Sequence, residues 1–462
     1  MGEMEAMRFS RSERNESHPK RSLSRRKFIG LAIGAATAMG AYVLVDSGKI
    51  PTEKNATTKS NATPIAATAA LSSATVTAGE GLTLALEGKI AKESPSSDIF
   101  VVNGTTARDL GFDALTNLMG RFGSPFHHLS TKIGDQASKG LIARDDVVII
   151  KVNSQWDQRG GTNTDLLKTI IETILNHPEG FIGEIIVADN GQAQYGGQGS
   201  GGSLDWKESN AEDHSQSVQS VVDSYSKSHK VSTFLWDKIT LTSVKEYSEG
   251  DATDGYIVAQ TSNPTTGIKV SYPKFKTKFG TYVSFKMGIW DPNRKSYNDE
   301  KLKVLSVPVL KTHQIYGVTA SVKHYMGVGS DKLGTGSHAS VGKGGMGTEM
   351  AQTRSPILNI LDATWVNANP GNGPRTTYSE AARANVLMAS SDPVALDYWA
   401  AKHVLMQAAR AIGHNDRFSI DPDNETSGFG NWLRLSMQEL QKAGRQATVN
   451  ENQMNVYVQN LR

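Results

Sequence analysis

Cysteine is absent from all 462 residues. That excludes disulfides, thiolate metal ligands and an iron–sulfur cluster held by cysteines. A charge excess is also missing once the total is divided along the chain. Up to Lys27 there are eight Lys and Arg against four Glu, and the whole carries +3, so the rest sums to about −1. A near-neutral body behind a basic leader lacks the electrostatic footprint of a nucleic-acid-binding fold, so no nucleic-acid partner is expected. A phosphate-cradle pattern is missing too: the Gly-rich stretch from Asn190 to Ser203 has neither regular Gly spacing nor a Lys-Ser/Thr pair at a helix start, and reads as a loop. What remains, 38% hydrophobic and 21% charged with 44 Gly, is the composition of a globular protein with long loops.

The leader is distinctive. Ser24, Arg25, Arg26, Lys27 and Phe28 precede a mild, uncharged apolar stretch from Phe28 to Val45. This resembles a twin-arginine (Tat) export signal, which implies the Tat machinery as a partner, folding inside the cell and an extracytoplasmic destination, periplasmic or cell-surface. Ala36-Thr37-Ala38 offers a cleavage site. Uncleaved, the eighteen residues from Phe28 to Val45 would span about 27 Å as a helix, near the lower limit for a membrane anchor. Residues 46–97 begin as a Thr/Ala/Ser/Asn-rich stalk carrying two glycosylation triplets, at Asn55 and Asn61.

From about 98 to 410 the pattern alternates. Strands are expected at Asp98–Gly104, Asp145–Asn153 and Gly183–Asp189, with helices through Leu110 to Phe122 and Asp165 to Asn176 between them, then a helix from Ser217 to His229 and an extended run from Val231 to Ile239. Such alternation argues an α/β fold built on a mainly parallel sheet with helices on both faces. Val, Tyr, Thr and Phe separated by turn residues at about 250–295 suggest a small antiparallel β insertion, and residues 411–462 read as a C-terminal extension.

The densest chemistry lies in VLSVPVLKTHQIYGVTASVKHYMGVG, Val304 to Gly329. An apolar strand ending at Leu310 would deliver Lys311, Thr312 and His313 to the carboxyl edge of the sheet, where ligands bind in open α/β folds. A following helical turn, with Thr319 and Lys323 on one face, would return Lys323 and His324 to the same place. Lys311, His313, Lys323 and His324 are therefore the candidate catalytic residues, with Lys151, Asn153, Thr312 and Asp392 as ligand-binding candidates. Asp189 and Asp362, at other strand ends, are candidates to hold a divalent metal or orient a base. Taken singly, such a Lys can merely snorkel, and such a His or Asp can merely cap a turn or helix. The Gly-rich region from Gly327 to Gly347 would cover the site as a lid. The expected function is an exported enzyme or ligand-processing protein acting on a small anionic molecule; the alternative is a surface-tethered binding protein without turnover.

Four segments carry a resemblance to a known family: VVIIKVNSQWDQRGGTNTDLLKTIIETIL, VLSVPVLKTHQIYGVTASVKHYMGVGS, ILNILDATW and VLMASSDPVALDYWAAKHV. In this order, between about Asp98 and His403, they resemble domain of unknown function 362. The resemblance implies an α/β fold and supplies no established activity. Many relatives in that family carry ferredoxin-like cysteine motifs, from which this chain departs by having no cysteine.

Overall fold

The computed structural model describes residues 81–108, 111–130, 140–191, 202–207 and 210–461. The twin-arginine segment, the stalk with its two triplets and most of the Gly-rich stretch after Asn190 lie outside the described residues. No helix among the described residues is long and apolar enough to cross a membrane.

The chain opens with strand β1 (Ser97–Asn103) and helix α1 (Gly111–Arg121), followed by β2 (Val147–Lys151), α2 (Thr164–Leu175), β3 (Glu184–Asp189), α3 (Val218–Tyr225) and β4 (Val231–Leu235). VVIIK of β2 and EIIVAD of β3 are buried at every position, as suits parallel strands covered on both faces. Helix α2 starts where Asn163 Oδ1 accepts the backbone N–H groups of Asp165 and Leu166, so the cap falls two residues before the Asp expected to begin it. Ser217 caps α3 in the same manner.

An antiparallel sheet of five short strands then interrupts the alternation: β5 (Gly255–Val258), β6 (Ser271–Lys276), β7 (Tyr282–Ser284), β8 (Gly288–Asp291) and β9 (Ser296–Asn298). The chain re-enters the main sheet as β10 (Leu302–Ser306) and β11 (Val309–His313), turns back as β12 (Gly317–Thr319), and makes a one-turn helix, α4 (Ser321–His324). Helix α5 (Gly345–Gln352), β13 (Leu358–Asn367), β14 (Ala382–Ser390), α6 (Pro393–Ala400), α7 (Gly428–Lys442) and β15 (Met454–Asn460) complete it.

The main sheet runs β15-β1-β14-β13-β10-β2-β3-β4, with β11 on β13 and β12 on β11. Six pairings are parallel and three antiparallel, because β12 and β14 run against the rest. Alternation along each strand feeds two cores. Val148, Ile150, Ile185 and Val187 pack with α1, α2 and α3 on one face, while Ile149, Ile186 and Val304 join the insertion and the C-terminal helices on the other.

Three sequence expectations change here. The apolar run at Val304–Leu310 is two strands, since Pro308 has no N–H for a ladder and breaks the run between Ser306 and Val309. Thr319 ends strand β12 directly opposite Lys311, so it meets the lysine by strand pairing and shares no helix face with Lys323. Residues 454–460 are an edge strand of the main sheet, paired in parallel with β1 over seven positions.

A buried lysine cavity as the candidate functional site

Strands β2, β3 and β11 end on one edge, and the chain following β12 folds back over it. Between them lies a small cavity lined by Lys151, Asn153, Asp189, Lys311, Thr319, Lys323, His324 and Gly327, with Gln155, Trp156, Asn190, Met326 and Pro374 completing the wall. Its free space is about 30 Å³, room for one or two water-sized groups. The sequence-predicted Lys151, Asn153, Asp189, Lys311, Lys323 and His324 are thus brought together.

The three lysines are nearly fully buried, at 1%, 1% and 7% exposure for Lys151, Lys311 and Lys323, and their partners differ sharply. Lys151 Nζ donates to Asp189 Oδ1 at 2.8 Å and to Val152 O at 3.3 Å, and stands 3.1 Å from His324 Nε2. Three acceptors for three N–H bonds make it a satisfied ammonium. The other carboxylate oxygen, Asp189 Oδ2, accepts the Ser154 backbone N–H at 2.7 Å and the Ser154 hydroxyl at 3.0 Å. Lys311 Nζ donates to Gly160 O, its one acceptor. Lys323 Nζ makes no hydrogen bond or ion pair among the described residues; its neighbour is the Tyr316 ring, 5.2 Å from Nζ. Thr319 Oγ1, also on the wall, is buried without a partner among the described residues.

Three lysines against one carboxylate leave an excess of positive charge with little water to screen it, and amine protonation responds accordingly. Burial pushes Lys311 well below the ordinary lysine value, the charge of Lys323 pushes it further, and Asp189 pulls it partly back. Lys323 falls to about 8 through burial, with Asp331 opposing. Lys151 is also lowered by burial, against the support of Asp189.

His324 Nε2 also lies 3.4 Å from the Lys151 carbonyl, which alone would suit an N–H at Nε2. The nearer ammonium decides the tautomer, because a charged donor at 3.1 Å cannot face another N–H. The proton therefore sits on Nδ1. Burial and the Lys151 charge hold the ring neutral, well below the usual histidine range.

Gly327 closes the cavity by backbone alone. A Cβ there would lie 2.2 Å from Asp189 Oδ1 and 2.5 Å from Lys151 Nζ, so only glycine lets the chain pass this close to the ion pair. The expected lid from Gly327 to Gly347 is thus, at its start, buried wall, and it continues through short helical turns. Helix α4, which carries Lys323 and His324, is anchored by Asp397 of α6. The Ser321 and Val322 N–H groups donate to its two oxygens at 2.7 and 2.8 Å. Burial raises the Asp397 carboxyl to about 7 against those bonds.

Four predicted site residues stand elsewhere. His313 Nδ1 accepts the backbone N–H groups of Ile315 and Tyr316 at 3.1 and 3.2 Å, capping the turn between β11 and β12, and is absent from the cavity wall. Burial and then the Lys323 and Lys311 charges depress it to about 2, so it is neutral. Thr312 alternates to the other face of β11 and is buried there. Asp392 follows β14, which runs backwards, so it lies at the opposite edge. It caps α6 through Val394 and Ala395 and accepts from Ser97 Oγ and the Thr448 N–H. Asp362 sits inside β13, where Thr364 N–H and Asn210 Nδ2 donate to it at 2.8 and 3.2 Å beside Arg159.

A divalent metal between Asp189 and Asp362 does not fit these donors. The oxygens of each are already taken by protein N–H, O–H or ammonium groups, and no group of three or more His, Asp or Glu that could hold a metal occurs among the described residues. Asp397, Gly160, Thr319 and Gly327 were not legible as site residues. Gly160 and Gly327 act through backbone, Thr319 through strand register and Asp397 through a carboxylate reaching from another helix, none of which a spacing rule displays.

No solved structure matches the chain. A thylakoid-associated protein of Synechocystis sp. is 31% identical over 129 residues, covering 25% of this chain and 39% of that protein. The chain therefore spans well under two thirds of the curated relative it matches. Residues 299–402 match the family described as Domain of unknown function (DUF362), a span that includes Lys311, Thr319, Lys323, His324, Gly327 and Asp397 but not the β2 and β3 segments. The likeness to the DUF362 family thus lies in the stretch that supplies Lys311, Thr319, Lys323 and His324 to the cavity.

Proposed function

We propose that the lysine cavity binds the anionic group of a small molecule, a carboxylate or a phosphate, and that the protein processes the molecule held there. The observation that carries this reading is Lys323: a cation 7% exposed, facing a cavity, with no acceptor for its N–H bonds among the described residues. A buried ammonium without an acceptor is costly, and a bound anion removes that cost by accepting its hydrogen bonds. Thr319 Oγ1 is a further donor available to the ligand. The proposal includes cell location: the twin-arginine resemblance supports export, with the apolar segment from Phe28 to Val45 as the candidate membrane attachment. The description of the Synechocystis relative as thylakoid-associated is compatible with a site at a membrane.

The test is titration of the purified protein with sodium phosphate and with sodium acetate, read by calorimetry and by thermal shift at constant ionic strength. At pH 7 at least one anion binds and raises the Tm, and Lys323→Met weakens that binding at least about tenfold, the loss expected for a hydrogen bond to a charged group. Affinity falls as pH rises through about 8, where the free Lys323 amine loses its proton. Equal Tm shifts in the wild type and Lys323→Met, or an affinity that does not change across that pH range, would sink the reading.

A further inference from the structure

We propose that Lys311 is the nucleophile of a Schiff-base site, and that the molecule held there is a small oxo acid, whose carboxylate faces Lys323 while its ketone or aldehyde carbonyl faces Lys311. The proposal rests on the anion site above and adds to it the chemical class of the ligand.

The argument is a hydrogen-bond census of three lysines in one cavity. Lys151 has an acceptor for each N–H bond and is built as an ammonium. Lys323 has none and is built to meet an anion. Lys311 lies between these cases: it is 1% exposed and has one acceptor, Gly160 O. As an ammonium it would leave two N–H bonds unsatisfied in a buried place. As an amine it uses one N–H to fix the side chain on Gly160 and keeps its lone pair for the cavity. Burial and the nearby Lys323 charge favour the same uncharged form. A buried lysine beside a second cation is a recognised arrangement for amine attack on carbonyl carbon.

The step balances. The Lys311 lone pair forms a C–N bond to the carbonyl carbon as the C=O π pair moves to oxygen, which takes up a proton. The nitrogen loses a proton, and the hydroxyl leaves as water with a second one. One amine, one carbonyl and one proton thus give one protonated imine and one water. The new cation forms where Asp189 already stabilises positive charge on Lys311. The cavity is small enough to exclude most bulk water from that bond, and its size limits the part of the ligand it takes to a compact oxo-acid head.

The experiment treats the purified full chain with sodium pyruvate, and separately with sodium glyoxylate, in the presence of sodium borohydride, followed by intact-mass measurement and peptide mapping. The expected result is one reduced adduct per chain on the peptide containing Lys311, diminished by excess acetate and lost in Lys311→Met. The wild-type map alone locates the adduct, so the test survives if that variant fails to fold. An adduct spread over surface lysines, or none with either oxo acid, overturns the proposal. If acetate still raises the Tm through Lys323 while no Lys311 adduct forms, the imine falls and the anion site stands. If acetate and phosphate also fail to bind, both fall.

Discussion

Lys151 shows how a single residue can be buried at a sheet edge without being reactive. Its ammonium is matched by Asp189 at 2.8 Å, and Asp189 is held in turn by Ser154. Removing one partner of such a pair leaves an uncompensated charge in a dry place, which costs more than losing both. Asp189→Ala should therefore lower unfolding free energy by about 3–5 kcal/mol, while Asp189→Ala combined with Lys151→Met should recover much of it. Urea denaturation of the two variants checks this, and a double variant no more stable than the single would refute the pairing argument. At this scale the sequence was informative about residue type and weak about role. Lys311, Lys323 and Lys151 were identified together at the edge, yet His313, two positions along the strand from Lys311, caps a turn with its Nδ1. A histidine at a strand end has the same letter whether its ring faces a ligand or a backbone N–H.

The elements meet at helix α4, a single turn too short to be stable by itself. It persists because Asp397, reaching across from α6, accepts its first two N–H groups. Replacing that carboxylate by a methyl group orphans two buried donors, so Asp397→Ala should cost about 1–3 kcal/mol. It should also weaken phosphate or acetate binding, because Lys323 and His324 ride on the same turn. Stability unchanged by Asp397→Ala in urea titration would show that α4 is held by something else. Strands β1 to β4 and helices α1 to α3 were legible from period and length, since fully buried parallel strands such as β2 and β3 read as unbroken apolar runs. The division of Val304–Leu310 into β10 and β11 depends on Pro308, whose missing N–H carries no weight in a count of apolar residues.

Across the whole molecule the sheet closes by joining distant parts of the chain. Strand β15 lies in parallel register along β1, so residues more than 350 positions apart pair, and Met454 and Val456 are buried at the join. Deleting residues 454–462 should cost about 3 kcal/mol or more, from two apolar side chains returned to water. It should also cause concentration-dependent association, because β1 becomes an uncovered edge. Calorimetry and light scattering of the truncated chain test both, and an unchanged Tm with a monomeric profile would count against β15 as the closing strand.

What the sequence by itself determined is local: the absence of cysteine chemistry, the α/β alternation, the antiparallel insertion, and the strand that brings lysines to the carboxyl edge of the sheet. These follow from composition and from the periods of two and 3.6 residues that neighbouring positions share. Only the tertiary structure decided the direction of β14, which sends Asp392 to the far edge to cap α6. It alone decided that Thr319 faces Lys311 across a ladder, and that glycine backbone at 327 passes over the Lys151–Asp189 pair. Those facts depend on strand order, register and close approach between segments far apart in the chain, and a buried amine's charge follows from the acceptors that such packing places around it.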